Sequence, residues 1–123
     1  MSIRVTVSGS WNWDEFHHAV QRVRQIMTDS HEPMILVADF LQTKGLPLGS
    51  GAVSNAASAS KGMPPTWVGT VIITQNSFIR TLVSIFQQTF RSGMGAKFHT
   101  VTSPEQAEQL VERLLSVRDE QRF

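Results

Sequence analysis

The chain predicts an α/β domain built on one mostly parallel sheet. Three observations carry that prediction. Val68–Phe90 runs from a β-branched apolar segment through a Thr-Gln-Asn-Ser corner into an amphipathic helical pattern, which is half of a βαβ unit. Similar units recur along the chain, giving the order β-α-β-α-β-α-β-α. Met34–Phe40, MILVADF, is almost continuously apolar, as expected of a strand covered on both faces. With right-handed crossovers, the expected sheet is four-stranded in the order 2-1-3-4, with two helices on each face. That order has one switch point, between strands one and three, where open α/β sheets tend to bind ligands.

Each element has its own signal. Ile3–Ser8 alternates, with Ile3, Val5 and Val7 on one face and Arg4, Thr6 and Ser8 on the other, so it reads as a half-exposed strand. Gly9-Ser10 ends it. Asn12 stands as N-cap with Glu15 three residues on, a capping box, and Trp11 and Phe16 occupy the positions of a hydrophobic staple. The helix that follows runs to about Met27, and Thr28–Pro33 is a turn. After the second strand, Gln42–Ser50 is rich in Gly and Pro and reads as a loop, and Gly51–Ser60 as a weak helix of Ala and Ser. Lys61–Trp67, with Pro64-Pro65, is a connector. Strand three is Val68–Thr74 and helix three Ser77–Phe90, striped by Ile79, Leu82, Val83, Phe86 and Phe90. Lys97–Val101 is a short strand. Ser103-Pro104-Glu105-Gln106 combines an N-cap, Pro at the first helical position and Gln at the third, and so opens the last helix.

Composition sets bounds on function. The chain's 123 residues fit a single domain, 1–123, and its 41% hydrophobic and 17% charged residues are those of a folded protein. A net charge of +1, with Lys and Arg scattered, leaves no footprint for nucleic acid or an anionic membrane surface. Cysteine is absent, which excludes disulfides and thiolate chemistry. No apolar run spans a bilayer and no signal-peptide core opens the chain, so a cytoplasmic protein is expected.

No catalytic or metal motif stands out, and neither a cofactor nor an enzymatic activity is expected. The switch-point rule selects Ser10 and Trp11 after strand one and Asn76 and Ser77 after strand three as ligand-binding candidates, with the start of helix three open to an anion. The competing role for Asn76 is to cap its own helix. Asp39, at the end of a buried strand, would need a second acid or a His to do chemistry; alone it serves to hold the following loop. Gly45–Gly51 lacks the Lys-Ser/Thr end of a phosphate loop. His17, His18, His31 and His99 do not have metal-ligand spacing. On helix three, Phe78 and Ile85 lie about 100° from the main stripe; with Leu82 they are candidates for a subunit interface unless helix two covers them.

Four segments bear a family resemblance: G-S-W-N-W-D-E-F at Gly9–Phe16, I-L-V-A-D-F at Ile35–Phe40, L-P-L-G-S-G-A-V-S at Leu46–Ser54, and the run from Val68 to Val83. Together, over roughly Ile3–Leu115, they resemble small bacterial STAS/SEC14-type domains, the anti-sigma-factor-antagonist-like group. The resemblance implies an α/β fold and a regulatory role through protein contact. Members often begin with an extra strand; by the resemblance none is expected within Met1–Ser8 besides strand one, and an exposed edge is expected. Phosphorylated members carry Asp-x-Ser after strand two, with a kinase-type partner acting on the Ser. Here Phe40-Leu41 follow Asp39, so that Ser is missing, and Thr43 and Ser50 are the nearest candidate phosphoacceptors. SEC14-type relatives carry lipids in an apolar cavity, for which a chain this short is expected to lack the residues. The leading expectation is a non-catalytic STAS-like domain, a homodimer or the partner of a regulatory protein, working through helices two and three and the loop Gln42–Ser50. The alternative is a small-ligand or anion-binding module at the switch point.

Overall fold

A computed structural model describes residues 1–43, 51–90 and 93–120. Four strands, β1 (Ser2–Gly9), β2 (Met34–Thr43), β3 (Trp67–Ile73) and β4 (Phe98–Val101), form one sheet in which every neighbouring pair is parallel. Helices α1 (Trp13–Ser30), α2 (Ala52–Lys61), α3 (Ser77–Thr89) and α4 (Pro104–Glu120) follow the strands in turn. The α/β class and the alternation are as expected. Gln42 and Thr43 extend β2 rather than opening a loop, and a 3-10 turn at Met94–Lys97 precedes β4.

The strand order is a correction. It is 1-2-3-4, not 2-1-3-4. The reason lies in what each strand can bury. β1 alternates between half-buried and exposed residues, and Arg4, Thr6 and Ser8 face solvent. Such a strand suits an edge, whereas β2 and β3 carry apolar residues on both faces and need cover on both. A 2-1-3-4 order would bury the polar face of β1 and leave β2 at the edge.

The order also decides where the helices go. Each crossover steps one strand in the same direction, so crossovers of one hand put α1, α2 and α3 on one face. α4 covers the other face alone: Ala107, Leu110, Val111 and Leu114 pack on Ile35, Val37, Val71 and Ile73. The layering is three helices and one, not two and two. On the three-helix face, Val23 and Met27 of α1 pack with Met34, Leu36 and Trp67, and Ile79 and Val83 of α3 pack with Ile72, Ala38 and Phe40. Burying side chains such as Met27, Ile35 or Ile73 contributes about 1.5–3 kcal/mol each.

Two bulges shape the sheet. Met34 pairs with Trp67 and Ile35 with Gly69, so Val68 is an extra residue that turns to the α4 side while Trp67 stays on the other. A Cβ on Gly69 would lie 2.8 Å from the Lys97 carbonyl oxygen, which shows how closely β4 approaches there. On β2, Thr6 opposes Asp39 and Ser8 opposes Gln42, so Phe40 and Leu41 together face one residue of β1. Asp39 Oδ1 accepts the Leu41 N–H at 2.9 Å beside this bulge.

The capping signals are realised. Asn12 Oδ1 accepts the Glu15 N–H at 2.8 Å, and the Trp11 and Phe16 rings stand 6.2 Å apart as the staple requires. α1 ends at His31 in a left-handed conformation, φ 58°, one of the few residue types that visit it. At α4 the Gln106 N–H meets Ser103 Oγ, while its side-chain oxygen accepts the Thr102 N–H at 2.9 Å.

Candidate functional site

Between the sheet and α1–α3 lies a partly open cavity of about 160 Å³. The sheet supplies Leu36, Ala38, Phe40, Thr70, Ile72 and Phe98 as its floor. α1 contributes Trp13, Phe16, Val20 and Val23, and α3 contributes Ile79, Leu82, Val83 and Phe86. α2 closes it with Ala52, Val53, Ala56, Ala59 and Ser60. The space exists where α2 offers Ala, Ser and a single Val toward the sheet, and α1 and α3 offer larger side chains. No ionisable residue is among the described lining residues.

α2 is held over the space by polar contacts with α1. His17 Nε2 lies 2.7 Å from Asn55 Oδ1, and Asn55 Nδ2 donates to the Gly51 carbonyl, so the histidine is the donor. At the other end Arg24 Nη2 donates to the carbonyls of Ala59 and Ser58, at 2.8 and 3.4 Å, satisfying α2's terminal acceptors. A Cβ on Gly62 would come within 2.5 Å of the guanidinium, so a larger residue there would displace the Arg24 side chain.

One end of the cavity is aromatic. Trp13 stands edge-on to Trp11 at 5.1 Å and to Phe16 at 5.3 Å, and Trp11 lies 6.1 Å from Phe40. All three tryptophans of the chain line the cavity. Trp11 Nε1 donates to Thr43 Oγ1 and Trp67 Nε1 to Thr70 Oγ1, at 3.0 and 3.1 Å. Trp13 Nε1 is buried and has no acceptor among the described residues. A buried donor left in that state costs about 1–3 kcal/mol.

A second feature lies outside the cavity, on α3. Phe78 is 62% exposed and Ile85 45% exposed, and α2 does not cover them. Seven residues apart, they share one face two turns along the helix. Thr81 and Thr89 lie on the same side and turn their hydroxyls back to the carbonyls of Ser77 and Ile85, at 2.9 and 2.8 Å. The face therefore presents methyl and ring surface. Leu82 is half buried and lines the cavity, so it borders this face rather than centring it.

The other expected residues fall elsewhere. β2 lies between β1 and β3, so the residues after those strands do not flank a common switch-point crevice. Of Ser10, Trp11, Asn76 and Ser77, only Trp11 lines the cavity, and the other three are exposed. Asn76 Oδ1 accepts the N–H groups of Phe78 and Ile79, at 2.8 and 3.2 Å, which are the donors an anion would use. Asp39 is 4% exposed, faces the α4 side and joins Arg4 in an ion pair, with its other oxygen on Leu41. It therefore holds the bulge within β2 rather than a following loop. Thr43 Oγ1 accepts from Trp11 and donates to the Gly9 carbonyl at 3.2 Å, tying β1, β2 and α1 together. Ser50, most of Gly45–Gly51 and most of the loop Gln42–Ser50 lie outside the described residues. His99, on β4, has its pKa lowered by burial.

Trp11, a ligand-binding candidate from the sequence, lines this cavity, but the sequence does not place the space beneath α2. Its sequence signals are the Trp11–Trp13 pair at the start of α1 and the run of Ala and Ser in α2, set against large apolar residues on the sheet. No family model matches the chain, and neither a curated protein nor a solved structure matches it.

Proposed function

We propose that the chain is a non-catalytic, STAS-like regulatory domain that works by protein–protein contact and self-associates through the outer face of α3. The observation that carries this reading is the exposed, uncharged face of Phe78, Thr81, Ile85 and Thr89, whose two hydroxyls are already spent within the helix. A two-fold pairing would bury both large side chains of each copy at once. Each contributes about 1.5–3 kcal/mol when moved out of water. The only charged residue of α3, Arg80, lies about 160° around the helix from Phe78.

Solution mass tests this reading. Light scattering on the wild type is expected to give twice the 13.7 kDa of one chain, and Ile85→Glu to give a single chain. A monomeric wild type at tens of micromolar would overturn self-association. A dimer that Ile85→Glu leaves intact would move the interface off α3.

A further inference from the structure

We propose that the cavity between the sheet and α1–α3 is a binding site for a small, neutral aromatic molecule of one or two rings. The site goes beyond the proposed α3 interface and does not depend on it.

The walls decide the chemistry of the occupant. Among the described residues the lining offers no charge, and its polar side chains are Ser60 and Thr70 beside the indoles. Thr70 already accepts from Trp67, and Ser60 donates to the Ala56 carbonyl at 2.8 Å. A carboxylate, phosphate or ammonium would be desolvated there without a partner. A neutral apolar molecule loses nothing.

Size sets the second limit. An engineered cavity of about 150 Å³ lined by Leu, Ile and Phe stays dry and takes up benzene. The space here is about 160 Å³, so it fits a ring rather than a long chain. The third limit is shape. Trp11, Trp13 and Phe16 already stand edge to face, and a further ring can join that arrangement with its own edge or face.

Trp13 adds a preference within this class. Its buried Nε1–H has no acceptor among the described residues, whereas those of Trp11 and Trp67 are occupied. A ligand carrying one carbonyl or ether oxygen beside its ring would pair with it after a small turn of the indole. Asp39 sits on the opposite side of the sheet, and among the described residues no ionisable side chain lines the cavity.

The test is a methyl NMR titration of the full chain with ethylbenzene, acetophenone and, as a charged-chain probe, decanoate. The expected result is saturable shifts at Val53, Ala56, Met63 and Leu82 with both aromatic probes, with Kd of about 1 mM or tighter. Ala56→Phe, which fills the space from α2, should weaken both by at least about tenfold. Ala52→Phe provides a second blocking variant, should the first fail to fold. Trp13→Phe should erase an acetophenone preference of about two- to tenfold over ethylbenzene. No saturable shift with either aromatic probe would overturn the site. Binding that survives both blocking variants would place it elsewhere and overturn the proposal, and decanoate displacing the aromatic probes would overturn the ligand class. An acetophenone preference that persists in Trp13→Phe would refute the role given to that indole.

Discussion

The Arg4–Asp39 pair predicts a mutant cycle that is far from additive. Asp39 is buried and accepts two hydrogen bonds, one from Arg4 Nη2 and one from the Leu41 N–H. Arg4 is asymmetric to it: its side chain is 49% exposed, against 6% for Asp39. Asp39→Ala removes the carboxylate and lets Arg4 return to water. The lost Leu41 hydrogen bond costs about 1 kcal/mol, and the half-exposed ion pair adds no more than about 1 kcal/mol. The total, about 2 kcal/mol, lowers Tm by roughly 6–10 °C in a chain of this size. Arg4→Ala does something different. It leaves a buried carboxylate with one hydrogen bond, and its cost of about 2–3 kcal/mol is mostly that of the stranded charge. Removing both residues removes the charge as well, so the double variant should lose only about 2 kcal/mol, giving a coupling of about 2–3 kcal/mol. Urea unfolding with a shared m-value measures all three, in the Ile85→Glu background so that association does not enter. Additive losses near 5 kcal/mol would refute the account of Asp39 as a buried acceptor that Arg4 neutralises. Because Asp39 faces α4, its removal should leave probe binding in the cavity unchanged.

Two further outcomes follow from the geometry. Gly69→Ala forces a Cβ against the Lys97 carbonyl, which is backbone and cannot swing aside, so β3 and β4 must separate. A loss of about 1–3 kcal/mol is expected by thermal unfolding, with amide exchange rising first in β4; an unchanged Tm would show that the approach relaxes freely. His99 titrates lower in the folded chain than its ordinary value because burial penalises the imidazolium. The unfolded chain then binds more protons below about pH 6.5, so stability is full above that pH and falls as pH drops toward the folded pKa. His99→Gln should flatten that segment of the stability–pH curve, and an unaltered slope would assign it to other groups.

Local signals in this sequence were reliable because they are decided by neighbours along the chain. Asn12 with Glu15, Trp11 with Phe16, Asn76 before helix three and Ser103 with Gln106 all form the contacts their spacing predicts. Strand order is decided by which faces need cover, whereas alternation and crossover hand alone are compatible with several orders. The alternation of β1 suits an open face, which its place at the sheet edge grants it. The cavity was less legible. The floor beneath α2 comes from Leu36, Ala38, Phe40, Thr70, Ile72 and Phe98, which belong to three different strands. No window of sequence contains both walls.

An unfilled space of this size needs an energetic account. At about 24 cal/mol per Å³, a cavity of 160 Å³ costs up to about 4 kcal/mol, less to the extent that it opens to solvent. Small domains have about 5–15 kcal/mol in total. The chain could have reduced the cost with one larger residue on α2, at Ala52 or Ala56, both of which line the space. It has instead Ala and Ser along that face, with polar contacts from His17 and Arg24 holding the helix in place above the gap. A bound ring would restore the lost contacts and raise stability by mass action, about 2.7 kcal/mol at a hundredfold excess over Kd. The same reasoning predicts that Ala56→Phe, if it folds, is more stable than the wild type without ligand and insensitive to added probe. A variant that is both destabilised and still ligand-responsive would mean that the space is not the one the ligand fills.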